Sequence, residues 1–308
     1  MKIASINIGT NTCNIIIAES DSENNADIIY TDKRPVKLID DQYFNDNISE
    51  NAINRTITTL LEYKKIIKKH KVQKNIVIAT SGIRNANNRD YILERIISET
   101  NFSVKVIDGL EEAEIVYKAV RRAVNLDEKS VLVIDIGGGS VEFIICNNSE
   151  VLWMDSYNIG IARLLKKYDF DDPLINENII FLKKIFTEKF NSVISEAIKY
   201  EVNTLIGSSG SFDTFKNLSI CSTATHIPEK DRTYYEIPLD VFDEIHQNLI
   251  NTNLFERIEI KGMDPIRVEM MPIASVLIKF LIEKLKIEKF IQSGYTIKEG
   301  LIFDYLSD

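Results

Sequence analysis

Short apolar runs separated by small polar residues recur along this chain. Residues 6–18, INIGTNTCNIIIA, set two β-branched runs on either side of a Gly/Thr/Asn stretch, the pattern of two strands joined by a tight turn. The pattern returns in residues 134–146, IDIGGGSVEFIIC, so that Ile6, Ile8 and Gly9 fall on Ile134, Ile136 and Gly137 at an offset of 128 residues. The same offset carries IVIATSG, residues 76–82, onto TLIGSSG, residues 204–210. Two separate matches at one offset indicate an internal duplication.

Each copy then changes to a helical period. In the first, Ile53, Ile57, Leu60, Leu61, Tyr63 and Ile67 predict an amphipathic helix over residues 52–69, and in the second a helix is expected over residues 175–199. Each copy closes with a strand and a helix: VKVIDG before residues 110–123, and KFIQSG before residues 297–306. Strands first paired in hairpins and then alternating with helices predict an α/β protein built of two similar mixed sheets with helical layers and a cleft between them. The polar, turn-like NLDEKS segment places the boundary near residues 123–129, giving units 1–124 and 125–308, with the last helix expected to be able to pack back on the first unit.

Composition narrows the class. At 44% hydrophobic and 27% charged the chain is long enough, at 308 residues, to bury two cores, which excludes disordered, collagen-like and disulfide-scaffold readings. The apolar run from Met270 stops at Lys279, short of the ~20 residues a membrane span needs. The start, MKIASINIG, reads as a strand and not as a leader, and Cys13, Cys146 and Cys221 show no C-x-x-C pair, so a cytoplasmic protein with reduced thiols is expected. The short apolar run leaves no membrane partner expected, and a net charge of −9 argues against a nucleic-acid partner but permits a polyanionic substrate in a locally positive cleft.

The loops carry the chemistry. Backbone N–H groups can cradle phosphate oxygens where side chains do not block approach, and glycine supplies that freedom. Gly137-Gly138-Gly139-Ser140 after Asp135 is the strongest such run. Alone it would read as a tight hairpin; four small-residue loops at symmetric positions read as a two-sided phosphate clamp. Asp135, at the end of its strand, could hold Mg²⁺ directly or through water. Glu142 lies in the returning strand, where a solvent-facing position is the alternative. Glu111 and Glu112 open a helix after Gly109, where the dipole favours acids, and one of the two could be a base that orients water.

Taken jointly, IASINIGTNT, ATSGIRNANN, VIDGLEEAEIVY, VLVIDIGGGSVEF, SYNIGIARL and LIGSSGSFDTF resemble the motifs of the exopolyphosphatase / guanosine pentaphosphate phosphohydrolase (Ppx/GppA) family, and the resemblance extends to GMDPIRVE and QSGYTIKEGL. It implies two duplicated ribonuclease-H-like domains of the actin-like ATPase superfamily in a short, two-domain form. It also implies Mg²⁺-assisted hydrolysis of a terminal phosphoanhydride of inorganic polyphosphate, or of a guanosine polyphosphate such as pppGpp. By this resemblance Glu112 is the catalytic base, Asp135 and Glu142 are the metal-side carboxylates, and Gly9, Thr10, Asn11, Arg84, Gly137, Gly138, Gly139, Ser140, Gly207, Ser208, Ser209 and Gly210 bind phosphate. Arg163 matches a motif arginine without a chemical role. Asn7 replaces the acid that normally opens the first loop. An amide cannot supply that charge, though it can hydrogen-bond a metal-bound water, so a non-catalytic binder stands beside the hydrolase. Thr296 and Lys298 replace a glycine and an arginine, and lysine makes no bidentate fork.

Three features have blander expectations. The run of Lys64, Lys65, Lys68 and Lys69 reads first as a solvated helix face and second as a track for a long polyanion. His70, His226 and His246 lack a nucleophile signature and are expected at the surface or partly buried. Residues 270–280 read as a core helix with Met271, Ala274, Ile278 and Leu281 on one stripe, or as the interface of a homodimer, an assembly common in the resembled family.

Overall fold

The computed structural model describes residues 1–21, 26–40, 42–223 and 232–307. The first half runs β1 (Lys2–Ile8), β2 (Thr12–Ser20), β3 (Ala26–Pro35), α1 (Glu50–His70), β4 (Lys74–Ala79), α2 (Ser81–Arg84), α3 (Arg89–Thr100), β5 (Lys105–Val106) and α4 (Gly109–Ala123). The second opens with β6 (Val131–Ile136), β7 (Val141–Cys146), β8 (Val151–Tyr157), α5 (Ile161–Lys167), α6 (Asn176–Lys189), α7 (Asn191–Lys199), β9 (Thr204–Ser208) and α8 (Gly210–Thr223). It closes with β10 (Tyr234–Glu236), α9 (Leu239–Asn251), α10 (Leu254–Ile258), α11 (Met271–Leu285), β11 (Lys289–Ser293) and α12 (Ile297–Ser307).

Two mixed sheets result, ordered β3-β2-β1-β4-β5 and β10-β11-β9-β6-β7-β8. The duplication is visible in register. Asn7 pairs with Asn14 across β1 and β2, and Asp135 pairs with Glu142 across β6 and β7, four positions related by the same 128-residue offset. In each copy the first strand also takes a parallel partner on its other side, β4 or β9, whose end delivers a small-residue loop beside the hairpin turn. Both hairpins are those read from the sequence. The third strands β3 and β8 were not, because their mixed polar and half-buried residues lack a continuous apolar run.

The expected helix over residues 175–199 is two helices, α6 and α7, that meet at the fully buried Phe190. Its ring packs against Phe143, Tyr157 and Phe186, and the chain bends there between the two helices. α11 is buried around most of its circumference, with Pro272, Ile273, Ser275, Val276 and Leu277 inside as well as the expected stripe. An all-round apolar helix belongs to a core. The chain itself covers it, so no partner copy is needed to do so.

The halves trade helices. α4 packs on β6, β7 and β8 of the second sheet, sharing a core with Val133, Ile144 and Ile206, while α12 packs on α4 and lays Ile302 and Leu306 against Ile3, Ile16 and Ala18 of the first sheet. Lys64, Lys65, Lys68 and Lys69 are exposed on α1 above the buried Tyr63, as a solvated face requires. His70 is half-buried beside the Tyr30 ring, His246 is buried against Ser275 Oγ at 2.9 Å, and His226 lies outside the described residues. Cys13 and Cys146 are buried and Cys221 is exposed, all three free. Among the described residues no helix is long and apolar enough to cross a membrane.

Candidate active site

The two hairpin turns are built alike. Gly9 N–H donates to Thr12 O at 3.0 Å, and Gly137 N–H donates to Ser140 O at 3.0 Å, so each turn folds tightly back and leaves its next residues at the tip. The tips meet. A Cβ on Gly139 would lie 2.7 Å from Ser81 Oγ and inside contact distance of Thr10 Oγ1, which is why the backbones can close only if that residue is glycine. Gly160 fits as closely under the backbone of Gly138 and Gly139, and from there α5 begins, with Ile161 N–H donating to Gly137 O at 3.1 Å.

Between the turns lies a cleft of about 310 Å³. Of the residues read from the sequence, it is lined by Gly9, Thr10, Asn11, Gly137, Gly138, Gly139, Ser140, Ser209 and Gly210, with Glu112 and Asp135 also on its wall. Asn7, Thr296 and Lys298 line it too. Four positions are not on that wall. Gly207 faces the Phe212 ring, and the fully buried Ser208 donates to Tyr295 O at 3.4 Å, so both serve packing behind the loop. Glu142 is buried one layer back, accepting from Ser156 Oγ at 2.7 Å. Arg84 points into the protein, its Nη1 donating to Ile107 O and to Glu112 Oε2, both at 2.9 Å.

Glu111 and Glu112 part company. The Asp108 carboxylate caps α4 through the N–H groups of Leu110 and Glu111, and one turn of helix then sends Glu111 outward to Lys105 and Glu112 inward to the cleft. Burial raises the Glu112 carboxyl, and the Arg84 guanidinium opposes that shift. Burial, helped by the Glu112 charge, pushes Asp135 up to about 8, against Arg267 and Lys298. Glu142 is raised well above the ordinary range by burial and by both neighbours. Three interacting carboxylates, two on the wall and one buried behind it, are expensive to ionise together without a cation.

The sequence reading missed Arg267, Asp213 and Lys33. Arg267 is buried over Gly210, which must be glycine to admit the guanidinium, and it faces Asp264 at 3.6 Å. Lys33 comes from the edge strand β3 and bonds Asp264 at 2.5 Å, while Asn11 Nδ2 donates to Ile266 O at 3.2 Å, drawing the first turn and the GMDPIRVE segment together. Arg163 also has a structural place: Nε donates to Gly139 O at 3.0 Å and Nη1 to Tyr43 OH at 3.2 Å, bracing the second turn against the first half. With every group ionised the described lining balances, Lys33, Arg267 and Lys298 against Glu112, Asp135 and Asp213; with Asp135 raised to about 8, the cations outnumber the charged acids at neutral pH.

Mg²⁺ was expected here. Among the described residues no three His, Cys, Asp or Glu side chains converge to hold a cation alone. Mg²⁺ does not need them, since it binds through one or two carboxylates and completes its shell with water and phosphate oxygens. The donors present fit that demand: Asp135 on the wall, and Asn7, whose Oδ1 is buried with no hydrogen-bond partner.

Two mixed sheets with paired glycine turns across a cleft make this an α/β protein of the two-domain actin-like fold. A model of the Ppx/GppA phosphatase family matches residues 16–308, and the chain belongs to that family. It is similar to an exopolyphosphatase of known structure from Cytophaga hutchinsonii, with 31% identity, a TM-score of 0.96, and 100% of this chain and 98% of that one covered. It is 34% identical to a bifunctional 3-dehydroquinate synthase/phosphatase of Fusobacterium nucleatum over 91% of this chain and 43% of the relative. It is 25% identical to a guanosine-5'-triphosphate,3'-diphosphate pyrophosphatase of Pseudoalteromonas atlantica over 99% of this chain and 58% of the relative. The chain thus spans about half the length of these last two relatives.

Proposed function

We propose that this chain hydrolyses a terminal phosphoanhydride, with inorganic polyphosphate as substrate and Glu112 as general base. The observation that carries the reading is Glu112 itself: a buried carboxyl on the cleft wall, raised by desolvation and held toward its charged form by Arg84, opposite two turns whose tips carry no bulky side chain. A base so poised can take a proton from a water placed for in-line attack. Backbone N–H groups of residues 10, 11 and 138–140, which the turns leave unspent, would hold the equatorial oxygens, and Lys298 and Arg267 would offset their charge. Asp135 and Asn7, with Glu142 behind, would hold Mg²⁺, which supplies charge neutralisation at the phosphate when bound. Arg84 Nη1, bonded to Glu112 Oε2, would hold that carboxylate in place and toward its charged form.

Asn7 favours a second reading. With an amide and not a carboxylate on the first turn, the chain could hold a polyphosphate or guanosine polyphosphate without cleaving it. Phosphate release from long-chain polyphosphate and from pppGpp, with and without Mg²⁺, for wild type and Asn7→Asp, separates the readings. Metal-dependent release by the wild type supports the hydrolase and names its substrate. Silence in the wild type with release restored by Asn7→Asp makes it a binder.

A further inference from the structure

A second cavity, of about 620 Å³, lies behind the Gly139 turn, with Tyr43 and Asp46 on its first-half side. Tyr157, Arg163, Lys167, Tyr168, Glu188 and Lys189 line the second-half side. Its character differs from that of the phosphate cleft. Three tyrosine rings and Ile39, Ile159, Leu164 and Ile185 supply apolar wall, and the cations Arg163, Lys166, Lys167 and Lys189 outnumber Asp46 and Glu188 on a chain whose net charge is −9. Among the described residues neither Lys167 nor Lys189 has a carboxylate partner, and Lys167 sits 5.1 Å from the Tyr168 ring centroid. Arg163 Nη2 is buried with no hydrogen-bond partner, while Nε is engaged by Gly139 O and Nη1 by Tyr43 OH and by the Asp46 carboxylate at 3.4 Å.

A bare polyphosphate would use the cations and leave the rings idle, and an apolar ligand would do the reverse. We infer that this cavity binds a nucleoside phosphate, its phosphates on Lys167, Lys189 and Arg163 and its base against the tyrosine wall. The volume suits a molecule of that size. Arg163 is the point of contact with the reaction cleft, since it already holds Gly139 O.

The test reads binding and not turnover, so it stands whether or not the chain is a hydrolase. ADP and GDP are titrated calorimetrically into the full chain with the cleft saturated by tripolyphosphate. One further equivalent of nucleotide should bind, at least tenfold more weakly for each of Lys167→Ala and Lys189→Ala, because each variant loses a charge-assisted contact to phosphate. Adenosine and guanosine should bind far more weakly than their diphosphates, and Tyr168→Leu should weaken ADP while both lysine variants keep the wild-type melting temperature. Nucleotide that tripolyphosphate displaces, or whose affinity both lysine variants leave intact, overturns the site. A second equivalent of tripolyphosphate lost in the lysine variants, with no preference for nucleotide, overturns the nucleoside part and leaves a bare phosphate site.

Discussion

Arg84 and Glu112 form an ion pair at 2.9 Å with both side chains nearly sealed from solvent. The arginine comes from the short helix after β4 and the glutamate from the first turn of α4, so the pair ties the end of a first-half strand to a helix that packs on the second sheet. It fixes where the carboxylate lies and how readily it takes a proton.

Replacing Glu112 by Gln keeps the shape and removes the proposed base. General-base catalysis contributes about 10²- to 10⁴-fold, and kcat for phosphate release should fall by that factor with KM little changed. Single-turnover rates on polyphosphate check it; a variant within about threefold of wild type refutes the role.

Arg84→Met leaves the buried carboxylate without its counter-charge. Arg84 lowers the Glu112 pKa against burial, so its loss raises that pKa further. An opposite charge nearby is worth about 1–3 pH units, and the acidic limb of the pH–rate profile should move upward by about that much. An unmoved limb would show that the limb belongs to another group.

Asp135 sets a dependence of stability on pH. Its carboxyl is raised from 3.8 to about 8, so the folded state binds the proton more tightly than the unfolded chain. The contribution is fully present below about pH 4 and is lost as pH rises through about 8. Melting temperature should decline over that window, and Asp135→Asn should flatten the decline. Mg²⁺ should restore stability at pH 8 in the wild type by mass action, and much less in the variant.

The second turn offers a paired comparison. A Cβ on Gly138 would come to 3.3 Å of Thr10 Cβ, a contact met by small adjustments, whereas one on Gly139 would enter the space of Thr10 Oγ1 and Ser81 Oγ. Gly139→Ala should therefore push the two turns apart and weaken substrate binding at least tenfold, and Gly138→Ala only slightly. KM for polyphosphate, compared between the two variants, gives the answer.

Much of this was legible in the sequence because the duplication repeats both pattern and spacing. The 128-residue offset locates both hairpins and both strand ends, and the turn residues follow from it. What escaped depends on tertiary approach. Gly207 and Gly210 look alike in the LIGSSG string, yet one accommodates the Phe212 ring and the other the Arg267 guanidinium. Asp213 and Arg267 stand inside the quoted LIGSSGSFDTF and GMDPIRVE strings, but nothing local marks them as the residues that reach the cleft, and Lys33 sits on an edge strand too polar to read as one. The resemblance sets Arg84 against phosphate; only the fold shows that its Nη1 also holds a buried acid.

The exchange of α4 and α12 has a consequence for how the chain comes apart. Residues 1–124 expressed alone would carry a helix whose apolar face has lost its sheet, and residues 125–308 alone would carry another in the same position. Neither copy is self-sufficient. The ancestral unit seen twice in the sequence has become a mutual dependency, and heating should melt both sheets as a single event, not one after the other.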